Sequence, residues 1–243
     1  MRVSADRTAP LDVEVGFSAV SSAGWSCAMR VDGRRVRYEL RGDGPVPPPP
    51  PCLDGFAAAT LMTAMAEGRA LRLHGPISRT GLRNLMEFQR AWTRWKPRHY
   101  RLVPIEADSV LEGPLGAPGG PAIAAFSGGL DSTFTLLSHA APADPLQALG
   151  RHDLRALVLV QGLDMASADA AGFARLLDRL RPVAARFGLK LHQVWTDAKD
   201  VRDLHGPVWE DQSQSQLAAC LHLFSAGFGG GLTGGALRYE HLG

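Results

Sequence analysis

Two glycines, two hydroxyls and one carboxylate are packed into Ser127-Gly128-Gly129-Leu130-Asp131-Ser132. The apolar run Ala122 to Phe126 before them has the character of a buried parallel strand, and Thr133 to Ala140 after them has that of a helix. A strand feeding a helix through such residues stacks several main-chain N–H groups around one concavity. The positive end of the helix dipole stands behind them. Glycine lets an anion approach the backbone closely and adopts unusual dihedrals at little cost. Asp131 and Ser132 fall where a first-turn side chain caps the helix or reaches a metal ion or phosphate oxygen. These residues describe an anion cradle, and a polyphosphate is the natural anion.

Three better-known loops do not fit. A Walker loop needs a lysine, and the only lysines are Lys96, Lys190 and Lys199. A dinucleotide fingerprint needs a third spaced glycine, which is absent. A nucleophile elbow needs glycine two residues before its serine, where Ala125 stands. Ser-Gly-Gly-x-Asp-Ser arises by chance in roughly one chain in a thousand of this length. The bland alternative is a Gly/Ser turn ending in a helix cap.

The hexapeptide resembles the SGGxDS loop of the PP-loop, or N-type, ATP pyrophosphatase superfamily. The resemblance implies that Ser127, Gly128, Gly129, Leu130, Asp131 and Ser132 hold the pyrophosphate part of ATP, with Asp131 and Ser132 as catalytic residues and Asp131 assisting Mg²⁺. It implies ATP and Mg²⁺ as cofactors and cleavage to AMP and pyrophosphate. A carboxylate or amide oxygen is activated for C–N bond formation. It also makes Val160, Gln161 and Gly162 the adenine-side wall. Within the superfamily, residues 70–243 are most similar to proteins like 7-cyano-7-deazaguanine synthase with an added N-terminal module. That family's cysteine-rich zinc site has no counterpart, because no cysteine follows Cys220.

The elements that must position this loop form two modules. Residues 1–105 carry 16 Lys/Arg against 9 Asp/Glu, and residues 106–243 carry 10 against 15, within a net charge of +2. The expectation is a basic α+β unit over 1–110 and an α/β PP-loop unit over 121–243, Rossmann-like, with a parallel doubly wound sheet. In the first, Leu11 to Phe17 and Val31 to Leu40 alternate as strands, with Asp32-Gly33 as a turn signal. Pro47 to Pro51 form a stiff spacer. Phe56 to Glu67 reads as a helix stopped by Gly68, and Ala70 to His74 as a strand ending at Gly75-Pro76. Arg79 to Lys96 reads as an amphipathic helix, Tyr100 to Ile105 as a strand, and Val110 to Gly120 as a linker. Trp92 and Trp95 beside Arg90, Arg94, Lys96 and Arg98 admit nucleic-acid stacking, though core packing is the favoured reading.

In the second module Leu154 to Val160 and Leu189 to Trp195 are strands. Phe173 to Phe187 is a helix kinked near Pro182, Trp209 to Phe224 is a helix, and Gly229 to Thr233 is a short fourth strand. Ligands of such sheets bind beyond the carboxyl ends of the strands. Segments 161–164, 196–211 and 233–240 therefore join the loop at one pocket. Trp209, Glu210, Asp211, Tyr239 and Glu240 are candidate substrate or metal contacts, with ordinary helix-capping acids as the alternative for Glu210 and Asp211. PP-loop units usually continue past a fourth strand, so an incompletely walled pocket with an exposed sheet edge is expected.

Three scattered cysteines make neither a disulfide framework nor a zinc site, and no apolar run approaches the ~20 residues of a membrane helix. A cytoplasmic protein is expected, with a small-molecule, protein or nucleobase acceptor and no membrane partner. RNA contact through the basic module and homodimerisation stand as open alternatives. An RNA-modifying adenylase and a non-catalytic nucleotide-binding module are the competing functions.

Overall fold

The computed structural model describes residues 9–113, 119–140, 150–201 and 209–235. Along the chain the elements are β1 (Leu11–Ser21), β2 (Gly24–Val31), β3 (Arg34–Gly42), α1 (Asp54–Glu67), β4 (Leu71–Ser78), α2 (Arg79–Trp95) and β5 (Ile105–Leu111). Then come β6 (Ala122–Ala125), α3 (Leu130–Ala140), β7 (Leu154–Gln161), α4 (Ala170–Arg186), β8 (Lys190–Thr196), α5 (Trp209–His222) and β9 (Gly230–Leu232). The strands form one nine-stranded sheet in the order β5-β4-β1-β2-β3-β8-β7-β6-β9. It is an α/β architecture with a mixed, mostly parallel sheet, compatible with a Rossmann-like fold.

Local chemistry accounts for most of these elements. The two-residue turn Asp32-Gly33 has φ of 48° and 74°, the double positive φ that matches hairpin twist. It sets the register Val31↔Arg34, which puts Val13, Met29, Val31, Val36 and Tyr38 on one buried face. Gly68, at φ 69°, closes α1 with its N–H on Ala64 O. Ser78 caps α2 by accepting from the Gly81 N–H.

Pairing of β3 with β8 is antiparallel, Tyr38↔Thr196 through Gly42↔His192, so residues 11–111 and 122–232 contribute to a single sheet. Asp197 clamps this seam, accepting from the Arg37 main-chain N–H at 2.7 Å and from Arg37 Nε at 2.8 Å. Helix α5 adds a second tie, because Gln212 and Gln216 both donate to Ala59 O of α1.

Alternation along β6 and β7 separates two cores. Ile123, Ala125, Ala156 and Val158 join the core that includes α1 and α5, whereas Ala124, Phe126, Leu157 and Leu159 join that of α3 and α4. Helices on both faces of β6 to β8 agree with the doubly wound expectation.

Two expectations are corrected. Tyr100 to Pro104 is not a strand. The Arg101 N–H bonds Met65 O, the Val103 N–H bonds Gln89 Oε1, and Pro104 has no N–H, so pairing begins only at Ile105. It then runs to Leu111, into the expected linker. Strand β4 does not stop at Gly75-Pro76; a register shift between Leu73 and Pro76 absorbs the proline and pairing resumes to Ser78. Helix α4 spans Ala170 to Arg186 with Pro182 inside it. Trp92 packs against the core as expected, but Trp95 is 54% exposed.

All three cysteines are buried and free, and burial pushes each thiol up to about 12. At pH 8 the thiolate fraction is then on the order of one in ten thousand. Cys27, Cys52 and Cys220 are therefore expected to resist a thiol-reactive disulfide reagent until denaturant is added. Rapid release of chromophore from the native protein would contradict this burial.

Candidate functional site

The loop sits where the order of the parallel strands reverses. From β6 the chain crosses to β7 and then β8 on one side, whereas β9 lies on the other. Such a switch point leaves a crevice at the carboxyl ends of the strands. Phe126 ends the strand with its N–H on Val158 O, and Ser127 to Asp131 are exposed beyond it. Gly128 has φ 77°, and a Cβ there would lie 2.8 Å from Leu180 Cδ2, so only glycine lets the loop settle on α4. At Gly129 an added Cβ would meet nothing closer than Ser127 Oγ at 3.4 Å. That glycine faces open space.

The loop is braced through its hydroxyls. Ser132 Oγ donates to Gly129 O at 3.1 Å and lies 3.3 Å from Ser127 Oγ, while the Thr133 N–H bonds Gly129 O at 3.0 Å. Among the described residues no group accepts from the N–H of Gly128, Leu130, Asp131 or Ser132, and that of Gly129 reaches only Ser127 Oγ at 3.4 Å. These are the orphan donors of a helix start. Helix α3 begins at Leu130, three residues earlier than expected, so the loop itself forms the first turn. The Leu130 side chain is 86% exposed, leaving its main-chain N–H as its contribution.

Beside the loop is a cavity of about 610 Å³, within the range of small-ligand sites. Ser127, Asp131 and Ser132 line one end, and Val158, Leu159 and Val160 of β7 form an apolar wall. Gly234, after β9, packs on the Asp131 backbone: a Cβ there would lie 2.9 Å from Asp131 C. Asp164 and Asp169 add two more carboxylates to the lining. Among the described residues no three His, Cys, Asp or Glu side chains converge to hold a metal ion. Magnesium usually needs only one or two protein carboxylates when substrate phosphates supply the rest, and Asp131 fits that requirement.

The remaining candidates separate clearly. Val160 lines the cavity, but Gln161 points elsewhere, donating to Ala166 O and Ser167 O to hold the loop after β7. Gly162 abuts Thr196 O of β8. Trp209 lines the cavity, with Lys199 Nζ 4.9 Å from its ring centroid. Glu210 and Asp211 do not line it. Asp211 accepts from Lys96 Nζ at 2.5 Å and Tyr100 Oη at 2.8 Å, tying α5 to the end of α2. Burial, with the Asp211 hydrogen bond second, holds the Tyr100 phenol well above its ordinary range. Tyr239 and Glu240 lie outside the described residues.

Sequence reasoning missed Asp169, Ser213 and Leu217. Asp169 caps α4 by accepting from the Gly172 N–H, a helix-start signal visible in the sequence. Ser213 and Leu217 follow Trp209 at intervals of four, so one helical face carries all three.

No protein-family model, curated protein or solved structure matches this chain. No helix among the described residues is long and apolar enough to cross a membrane.

Proposed function

We propose that the chain is an ATP-dependent adenylating enzyme. It splits ATP to AMP and pyrophosphate and so activates a carboxylate or amide oxygen for C–N bond formation. One observation carries this reading: the N–H groups of Gly128, Leu130, Asp131 and Ser132, without an acceptor among the described residues, stand at a switch-point helix start, beside a nucleotide-sized cavity. In it the β- and γ-phosphates lie on the loop, and the base lies along Val158 to Val160. Mg²⁺, when bound, neutralises phosphate charge. Main-chain donors already aimed at the leaving pyrophosphate need no reorganisation as its charge grows. Asp131 orients the loop and assists the metal; Ser132 braces the turn.

Isothermal titration with ATP and Mg²⁺ tests the reading first, and pyrophosphate release with candidate acids or amides tests it second. Binding with release supports an enzyme. Binding without release across acceptors supports the nucleotide-binding module, and no binding overturns both.

A second reading, an RNA-modifying adenylase, draws on α2. Arg83, Arg90, Arg94, Arg98 and Arg101 have no acidic partner among the described residues, and exposed Trp95 stands among them. Deleting residues 1–105 would remove β3 from its pairing with β8, so point variants are the sounder test. Arg90→Glu with Arg94→Glu is expected to weaken a salt-sensitive RNA shift at least about tenfold if RNA is the acceptor. An unchanged shift removes α2 as the interface.

A further inference from the structure

A second cavity has a volume of about 580 Å³. Helix α5 lines both, with Trp209, Ser213 and Leu217 on the first and Ala218 and His222 on the second. Thr233 borders the second cavity and the next residue, Gly234, borders the first.

The second cavity contains a carboxylate without a cation. Asp54 lines it yet is only 3% exposed. Its Oδ1 accepts from the Ser78 N–H at 2.8 Å and its Oδ2 from the Ser78 hydroxyl, and the Cys52 thiol interacts with it as well. No lysine or arginine lines the space, and none pairs with Asp54 among the described residues. The site is built by close approach. A Cβ at Gly81 would lie 2.3 Å from Asp54 Oδ2, and one at Gly55 would lie 2.6 Å from His222 Cβ. Glycine at both positions permits these close approaches, and Asp54 and His222 both line the cavity. Among the described residues the His222 ring has no hydrogen-bond partner, and burial, partly offset by Asp54, holds it below its ordinary range. A buried carboxylate facing a ligand-sized space selects a cation to complete its pairing.

We infer that this cavity binds the nitrogen nucleophile, a primary amine in its ammonium form, with its head between Asp54 and His222. Its apolar body lies against Leu85, Ile123 and Phe228. The assignment of nucleophile rests on the adenylation proposed above; the assignment of an amine site does not. In the reaction the ammonium gives one proton to His222 and the freed nitrogen attacks the acyl carbon of the adenylate. The new C–N bond forms as the C–O bond to AMP breaks, its electron pair staying on the phosphate oxygen. The second nitrogen proton passes to solvent.

The test uses the whole chain without nucleotide. Phenethylammonium and its carboxylate counterpart 3-phenylpropionate are titrated while the His222 ring Cε1–Hε1 signal is followed, assigned with His222→Gln. The amine is expected to shift that signal saturably and the carboxylate to leave it in place. Asp54→Asn is expected to weaken amine binding at least about tenfold. Because Asp54 is buried and that variant can perturb folding, Asn84→Trp at the exposed rim is the second variant, expected to block binding in a folded protein. Equal binding of the carboxylate, no saturable shift, or full binding by folded Asn84→Trp overturns the inference. A failure here with intact ATP binding leaves the adenylation reading standing; amine binding without ATP binding does the reverse.

Discussion

Gly129→Val is expected to weaken Mg²⁺–ATP binding by at least about a hundredfold, with the unfolding midpoint nearly unchanged. A Cβ at this position meets no backbone and no packed side chain. The added isopropyl group therefore occupies the space in front of the loop and holds phosphate oxygens away from the N–H donors. Hydrogen bonds to a charged group contribute about 1.5–3 kcal/mol each, and losing two corresponds to a hundredfold or more. Gly128 is the wrong position for this test. Its φ of 77° and its contact with Leu180 make any side chain a folding defect first. Asp131→Ala complements the valine variant: its carboxylate lines the cavity, and Gly234 packs on its backbone, which the substitution leaves in place. About a tenfold loss is expected there, greater with Mg²⁺ than without. Unchanged titration curves for both variants would end the reading of residues 127–132 as a triphosphate cradle.

The parts of this site that were legible in the sequence are those set by short-range chemistry. Ala122 to Phe126 is uniformly apolar because β6 is covered on both faces, and the Ser-Gly-Gly that follows cannot continue either element. Strand, loop and helix were all visible there, with only the helix start misplaced. Helix α5 was readable from Trp209 onward, but which face it turned to the cavity was not. Glu210 and Asp211 drew attention as acids beside a pocket. The fold instead aims Asp211 at Lys96 and Tyr100, whose positions in sequence lie 115 and 111 residues away. The seam between β3 and β8 was invisible for the same reason. Arg37 and Asp197 are 160 residues apart, and each reads alone as an ordinary surface charge. Asp54 opens α1 as an ordinary first-turn acid. Its second property, a buried charge facing a cavity, depends on Gly81 and His222 arriving from two other helices.

Gly162→Ala is expected to destabilise the protein by about 3–5 kcal/mol, among the larger effects of a single methyl group. Gly162 follows Gln161, the last residue of β7 paired with β8, opposite Trp195. Its φ is 102°, and a Cβ would fall 1.7 Å from Thr196 O and 2.8 Å from Thr196 C. Both are main-chain atoms of the neighbouring strand, so no rotamer change relieves the overlap. Relief requires the carboxyl ends of β7 and β8 to separate. That movement breaks the Gly162 N–H bond to Met165 O and draws Val160 out of the cavity wall. Backbone strain alone is the smaller part, about 1–2 kcal/mol for a residue forced to positive φ. Gly113→Ala isolates that part, since Gly113 has φ 90° with nothing near its missing Cβ. For a chain of this size each kcal/mol corresponds to about 2–4 °C, so Gly162→Ala should lower the midpoint by roughly 10 °C and Gly113→Ala by a few degrees. Equal midpoints for the two variants would mean that the strand ends are not in contact. The apolar wall of the cavity at Val160 would then not depend on that contact.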